Sequence, residues 1–470
     1  MTSDAYVELD EPNATFLPGR RAPIILVPGI MGSRLADPAT DKLIWNPKGS
    51  DPTEAGSIQP LVNSDLDFRS VRLHNVIQPL EPAGGHDFLK GHHHTPTRLA
   101  KQAERAGILH SFEVVWPSYR DLLLGLDSPG IRQVFREIDW GLDLSCCGYD
   151  WRRSCDEAAQ RLARRVAEAR ERCGGEKAII IAHSLGGLVT RRYLWAHGGR
   201  HHVGLLFLCA SPSLGAPKVW SFLKQGVVLD PREKDFDKEM AAAGLLLVKF
   251  RVRDFMRKCL SMWELLPKRM YTRPRRNWLE FEKAETGLAP TSDFQITGNP
   301  PQTGKVLPHA GHPDDVYADP VTGFADTIRD RAFLLQRLAH RAAFDNKMFL
   351  FDKGTKTKPM KLLCLDRTVL YCSKSHLTFG EFEVKLEDWG WNFVGNEFET
   401  KLTKKRAVPG DNSVPLASAS PRKSHIAPKP ATRDYPRRFP PVASEHGAIC
   451  TDIEVMTDIA FMCLKHLGDA

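Results

Sequence analysis

The apolar positions of this chain gather into short continuous runs rather than strict alternation. The first is Ala22 to Val27, rich in β-branched residues and closed by Pro28 and Gly29. A second runs from Lys177 to Ala182 and a third from Val203 to Cys209. Continuous apolar runs of this length predict strands buried on both faces, as in a parallel sheet. Between the first two runs, Leu162, Val166 and Ala169 recur at helical spacing. Ser154 and Glu157 form a capping-box pattern before them, and Gly174-Gly175 stops the helix after them. Residues 185 to 197 predict another helix, which completes a strand, helix, strand, helix, strand alternation and so an α/β fold with parallel strands.

Residues 217 to about 345 break that rhythm. They carry Trp220, an apolar block from Gly244 to Phe250 and the run Met262 to Leu266, interleaved with Lys and Arg. An insertion of this kind suits a mainly helical cap over a site, although composition alone fits an ordinary core subdomain equally well. From Pro409 to Pro441 the chain is rich in Pro, Ser and basic residues, which predicts extended, surface-lying backbone. Thr451 and Glu454 then form a second capping-box pattern, and apolar residues recur to Leu467 before Gly468. The division that follows is a core from 22 to 215 holding a small subdomain at about 36–110, a cap from 216 to 345, and a return to the core from 346 to 470.

Bulk properties narrow the class without naming the chemistry. With 470 residues, 42% hydrophobic and 26% charged, the chain is an ordinary globular protein in composition. Met1 to Arg21 has no apolar run, and no stretch reaches the length of a membrane span. The expectation is a cytoplasmic or peripheral-membrane protein. The net charge of +8 is mild for this length and concentrates in Lys249 to Arg276 and Arg422 to Arg438. Such stretches favour an anionic membrane surface, centred here on Arg257 and Arg437, and nucleic-acid binding is not expected. The ten cysteines have no framework spacing and sit mostly in apolar runs, so they read as buried thiols. His92-His93-His94 lacks a second ligand cluster, and neither metal nor other cofactor is expected.

The chemistry lies at Ala182-His183-Ser184-Leu185-Gly186. A serine hydroxyl is a poor nucleophile unless a base sits beside it, and a sharp strand-to-helix turn presents it to a carbonyl carbon. The five-residue pattern alone is weak. Its setting is stronger, with an apolar strand before Ser184 and Gly186-Gly187 with a helical pattern after it. A similar sequence at Ser211 to Gly215 contains Pro212, which hinders such a turn. Backbone N–H groups to stabilise an oxyanion would come from Leu185 and from the loop Pro28 to Gly32, with Met31 as the candidate. Ile30, His183 and Trp220 are candidate substrate contacts. The acid and base should follow the serine in that order. Asp411 in a turn sequence is the first candidate acid and Asp366 its competitor. Of His425, His446 and His466, the loop residue His446 is the candidate base.

Four stretches together resemble the lecithin:cholesterol acyltransferase family: Ile25 to Leu35, Tyr149 to Arg152, Ala182 to Gly187, and Gly410 to Ser418 followed by His446. The resemblance implies an α/β-hydrolase core, a cap after the nucleophile helix and a small lid-like, membrane-contacting subdomain early in the chain. It implies acyl transfer from a glycerolipid through a serine ester, with Ser184, Asp411 and His446 as the triad and Met31 and Leu185 as oxyanion donors. The leading expectation is therefore a lipid ester hydrolase or acyltransferase. An esterase or lactonase for a small soluble ester, and a non-catalytic membrane-binding protein on the same scaffold, are the alternatives.

Overall fold

The structure is a computed structural model that describes residues 19–36, 43–45, 114–226, 246–267, 279–281, 331–350, 361–362, 365–392, 395–421 and 435–469. The chain opens with β1 (Arg20–Val27), β2 (Leu35–Ala36) and β3 (Leu43–Trp45). Helices α1 (Trp116–Leu126) and α2 (Pro129–Glu137) lead to β4 (Trp140–Cys146) and α3 (Cys155–Arg172). Then come β5 (Ala178–His183), α4 (Leu185–Ala196), α5 (Gly199–His202) and β6 (Val203–Cys209). The block after β6 contains α6 (Lys218–Gln225), α7 (Leu246–Lys258), α8 (Leu260–Glu264), β7 (Leu279–Phe281) and α9 (Arg331–Met348). The rest comprises β8 (Phe349–Leu350), β9 (Lys361–Leu362), β10 (Thr368–Tyr371), β11 (His376–Asn392), β12 (Gly395–Gly410), α10 (Leu416–Ala419), β13 (Arg437–Arg438) and α11 (Ile453–Gly468).

Six strands form one sheet in the order β13-β10-β6-β5-β1-β4, and every pairing in it is parallel. Because successive side chains point to opposite faces, each continuous apolar run feeds two cores at once. Ile25, Val27, Ile180, Ala182, Leu206 and Leu208 face one cluster with α3, α4 and α6 to α8. Ile24, Leu26, Ile179, Ile181, Leu205 and Phe207 face the other with α1, α2 and α11. Burying one such Ile or Leu side chain contributes about 1.5–3 kcal/mol, which is why continuous runs replace alternation here. The fold is thus α/β with a parallel sheet, as the sequence predicts.

The strand order also fixes where a ligand fits. From β1 the chain crosses to β4 at the sheet edge, whereas from β5 it crosses to β6 on the other side. The crevice outside the carboxyl ends of β1 and β5 is therefore the switch point of the sheet.

Several local expectations change. Ser154 does cap α3, accepting from the Asp156 N–H at 3.1 Å, but Glu157 does not close the box. Glu157 pairs with Arg153 instead, and the buried Glu264 carboxylate of α8 takes the Ser154 hydroxyl at 2.6 Å and the Cys155 N–H at 2.8 Å. The cap of α11 is Asp452, which accepts from the Glu454 and Val455 N–H groups, rather than Thr451. The start of the segment 409–441 is not surface-lying: Asp411, Val414, Ser418 and Ala419 are buried. Ser418 explains this by bridging the Gly215 carbonyl and the Leu214 N–H, which draws the segment into the core.

The basic centres expected at a membrane surface are engaged internally. Arg257 is buried and donates to the Leu223 carbonyl, while Arg437 is paired with Asp458 at 2.7 Å. The described part of the block 216–345 is helical except for β7, and its Phe255, Trp263 and Leu266 join the core under the sheet. Apart from Ala36 and β3, the early subdomain lies outside the described residues, as do His92 to His94 and His425. No described helix is long and apolar enough to cross a membrane. Among the described residues no group of three or more His, Cys, Asp or Glu is placed to hold a metal ion.

Candidate active site

Ser184 occupies the single residue between β5 and α4, with φ 50° and ψ −123°. That conformation costs a non-glycine residue about 1–3 kcal/mol, and persists only where the surroundings over-determine it. The surroundings here are tight. The Ser184 N–H donates to the Cys209 carbonyl at 2.9 Å, and the Ser184 carbonyl accepts from Gly187 at 3.0 Å. A Cβ at Gly186 would stand 2.4 Å from the Val27 carbonyl oxygen, and one at Gly29 would stand 2.8 Å from the Ser184 Cβ. Two glycines therefore allow the end of β1 and the start of α4 to meet across the crevice.

His446, on a 3₁₀ turn spanning His446–Ala448, places its Nε2 2.8 Å from the Ser184 Oγ. Its Nδ1 lies 2.9 Å from the Asp411 Oδ2. Asp411 is fully buried, and its other oxygen accepts from the backbone N–H groups of Ser413 at 2.9 Å and Val414 at 2.6 Å. Burial pushes the Asp411 carboxyl up. The charge and hydrogen bond of His446, with those two N–H groups, outweigh it and hold the carboxyl below its ordinary value. An ionised Asp411 accepts a hydrogen bond from His446 Nδ1–H, which leaves the Nε2 lone pair facing Ser184. The turn after β12 and the His446 loop are also joined through backbone, His446 N–H to Asp411 carbonyl at 2.9 Å.

The turn after β1 sits beside this row. Met31 takes φ 60°, and Gly32 closes the turn onto the Gly29 carbonyl at 3.1 Å. Three aromatic side chains fasten it. Tyr149 donates to the Pro28 carbonyl at 2.8 Å, Trp45 to the Met31 carbonyl at 2.8 Å, and Tyr119 accepts from the Gly29 N–H at 2.9 Å. Tyr149 belongs to the Tyr149 to Arg152 stretch singled out in the sequence, where Asp150 and Arg152 form a buried ion pair at 2.7 Å. Leu185 is the first residue of α4, so its N–H has no intrahelical partner and faces the crevice end of the helix.

Two candidates lie elsewhere. Asp366 is exposed and precedes β10, at the amino ends of the parallel strands, whereas Ser184 follows the carboxyl end of β5. His466 bonds Arg367 at 2.9 Å near the start of β6, at that same amino end of the sheet. Of the candidate substrate contacts, Ile30 is partly buried against the core, and Trp220 is fully buried with its ring centroid 4.8 Å from that of Phe382. Both ring nitrogens of His183 are taken by protein groups, Tyr119 Oη at 2.8 Å and the His446 carbonyl at 3.0 Å. Its polar atoms thus serve the loops. No motif marks Tyr119, which sits in α1.

The sequence model of the lecithin:cholesterol acyltransferase family matches residues 141–239, from β4 through Ser184 and past α6. "Lecithin-cholesterol acyltransferase-like 4" of Arabidopsis thaliana is 24% identical over 260 residues, a match covering 52% of this chain and 42% of that protein. The chain thus spans less than half the length of that relative. A solved structure described as "The crystal structure of Tle4-Tli4 complex" aligns over 95% of this chain and 98% of its own, at 16% identity and a TM-score of 0.49. The matched residues 141–239 include the strand, serine turn and helix that hold Ser184, and that stretch is similar to the lecithin:cholesterol acyltransferase family.

Proposed function

We propose that this chain is a serine-dependent acyl hydrolase or O-acyltransferase acting on lipid esters, with Ser184, His446 and Asp411 as its catalytic residues. One observation carries the reading: Ser184 Oγ, His446 and Asp411 form an unbroken row at 2.8 and 2.9 Å, outside the switch point of a parallel sheet. A buried carboxylate behind a histidine behind a strained serine has a specific chemical use.

In that use His446 Nε2 removes the Ser184 proton as Oγ attacks the ester carbonyl carbon. The Leu185 and Met31 N–H groups receive the oxyanion, and Asp411 stabilises the imidazolium. Collapse expels the alcohol, which takes the proton from His446, and leaves the acyl group on Ser184. Water or an acceptor alcohol then gives its proton to His446 and attacks the acyl carbonyl; the bond to Ser184 Oγ breaks, Oγ takes the proton back from His446, and a fatty acid or a new ester leaves. Helices of the block 216–345 would form the cap that shields the acyl chain.

Lipid rather than small-ester chemistry rests on the family relationship. The test is product analysis on phospholipid and neutral-lipid vesicles, with and without a sterol. The reading expects free fatty acid or a sterol ester from the wild type and neither from Ser184→Ala. Equal product from the folded Ser184→Ala protein overturns it.

A further inference from the structure

A second row of hydrogen bonds runs behind the first. Tyr119 Oη lies 2.9 Å from the Gly29 N–H and 2.8 Å from His183 Nδ1, and His183 Nε2 lies 3.0 Å from the His446 carbonyl oxygen. Tyr119 and His183 are 1% and 5% exposed, so little water competes for these bonds. The rings pack edge to face at 5.6 Å, and the His183 and His446 rings are 5.0 Å apart.

The proton order along this row is forced. A carbonyl oxygen only accepts, so His183 Nε2 must carry a proton. Burial and the charge of His446 push the His183 imidazole down to about 3, so it is neutral and Nδ1 must accept. Tyr119, kept protonated by burial, therefore donates to Nδ1, and its oxygen accepts from Gly29. Each group has one role, and reversing the imidazole would set its Nε2 lone pair against the His446 carbonyl.

We propose that His183 and Tyr119 are positioning residues, which hold the turn after β1, the Ser184 strand and the His446 loop in one register through this ordered row. The inference rests on the serine mechanism proposed above. It explains how three segments far apart in sequence keep hydrogen-bond distances around Ser184. Neither side chain touches the reacting atoms. Their removal should lower kcat rather than raise KM, because the acyl-binding surface is untouched.

The test uses turnover of p-nitrophenyl butyrate by Tyr119→Phe, His183→Leu and His183→Gln, with fluorophosphonate labelling of the wild type as reference. Tyr119→Phe and His183→Leu should lose about ten- to hundredfold in kcat, with KM within about twofold. His183→Gln, whose amide offers a donor and an acceptor, should recover most of the loss. His183→Leu with wild-type kcat, or a Gln variant no better than Leu, overturns the proposal.

A ¹⁵N-histidine spectrum of the wild type, assigned by difference from His183→Gln, decides the matter even if the Leu variant does not fold. A neutral ring protonated at Nε2 is expected, and a ring protonated at Nδ1 overturns the row. Wild-type protein that neither cleaves the ester nor takes the label overturns the serine reading instead, and the spectrum still judges the row.

Discussion

Gly186→Ala adds a single methyl group where the account leaves no space for it. The new Cβ would lie 2.4 Å from the Val27 carbonyl oxygen and 2.6 Å from that of Pro28, whereas ordinary contact begins at 3.4 Å. Both obstacles are backbone at the end of β1, so no side chain can swing away. Relief requires about 1 Å of separation between α4 and the strand that leads into the turn carrying Met31. Overpacking of this kind costs about 1–3 kcal/mol in stability. The larger effect is on geometry, because a displacement of about 1 Å at the reacting groups lowers turnover about 10²-fold. The assay is kcat/KM on p-nitrophenyl butyrate beside the urea unfolding midpoint. Gly130→Ala is the control: it lies in α2, and a Cβ there meets nothing within 4 Å. That variant should gain about 0.4–1 kcal/mol and keep full activity. Gly186→Ala with turnover within about twofold of wild type would refute the close approach of β1 to the serine helix.

Two further substitutions probe the carboxylates. Asp411→Asn should lower kcat about 10⁴-fold by favouring the wrong His446 tautomer, read by ester turnover in a folded variant. The Asp411 carboxyl is held below its unfolded value, so its contribution to stability is present above the unfolded pKa near 3.9 and is lost as pH falls through the folded one. The difference in stability between wild type and Asp411→Asn should therefore narrow below about pH 4, and a gap independent of pH would contradict the assignment. Asp150→Asn removes the negative charge opposite Arg152 in a pair whose side chains are each 2% exposed, and should cost about 3–5 kcal/mol in stability by urea unfolding. A loss below about 1 kcal/mol would show that the pair does not hold Trp151 and its neighbours in place.

The sequence makes the sheet legible because buried parallel strands must be continuously apolar, and the runs around Ile25, Ile180 and Leu206 are. Ser184 is legible because a strand, a small residue and two glycines must surround such a turn. Asp411 and His446 follow from order and turn chemistry, and the structure brings both to Ser184 while leaving Asp366 and His466 at the amino ends of the strands. The misses share one cause, which is that partners distant in sequence decide them. Glu264 takes the role expected of Glu157, at a separation of 110 residues from Ser154. Ser418 buries a segment whose composition suits the surface. His183 is adjacent to the serine in every reading of the motif, but its use depends on Tyr119, 64 residues away.

The central claim is that Ser184 is activated by His446 and Asp411, and covalent labelling tests it most directly. Wild-type protein treated with a fluorophosphonate at neutral pH should gain one adduct by intact mass, located by peptide mapping on Ser184. Ser184→Ala should gain none, and His446→Ala should label slower by orders of magnitude. An adduct on another serine, or equal labelling of wild type and His446→Ala, would contradict the account.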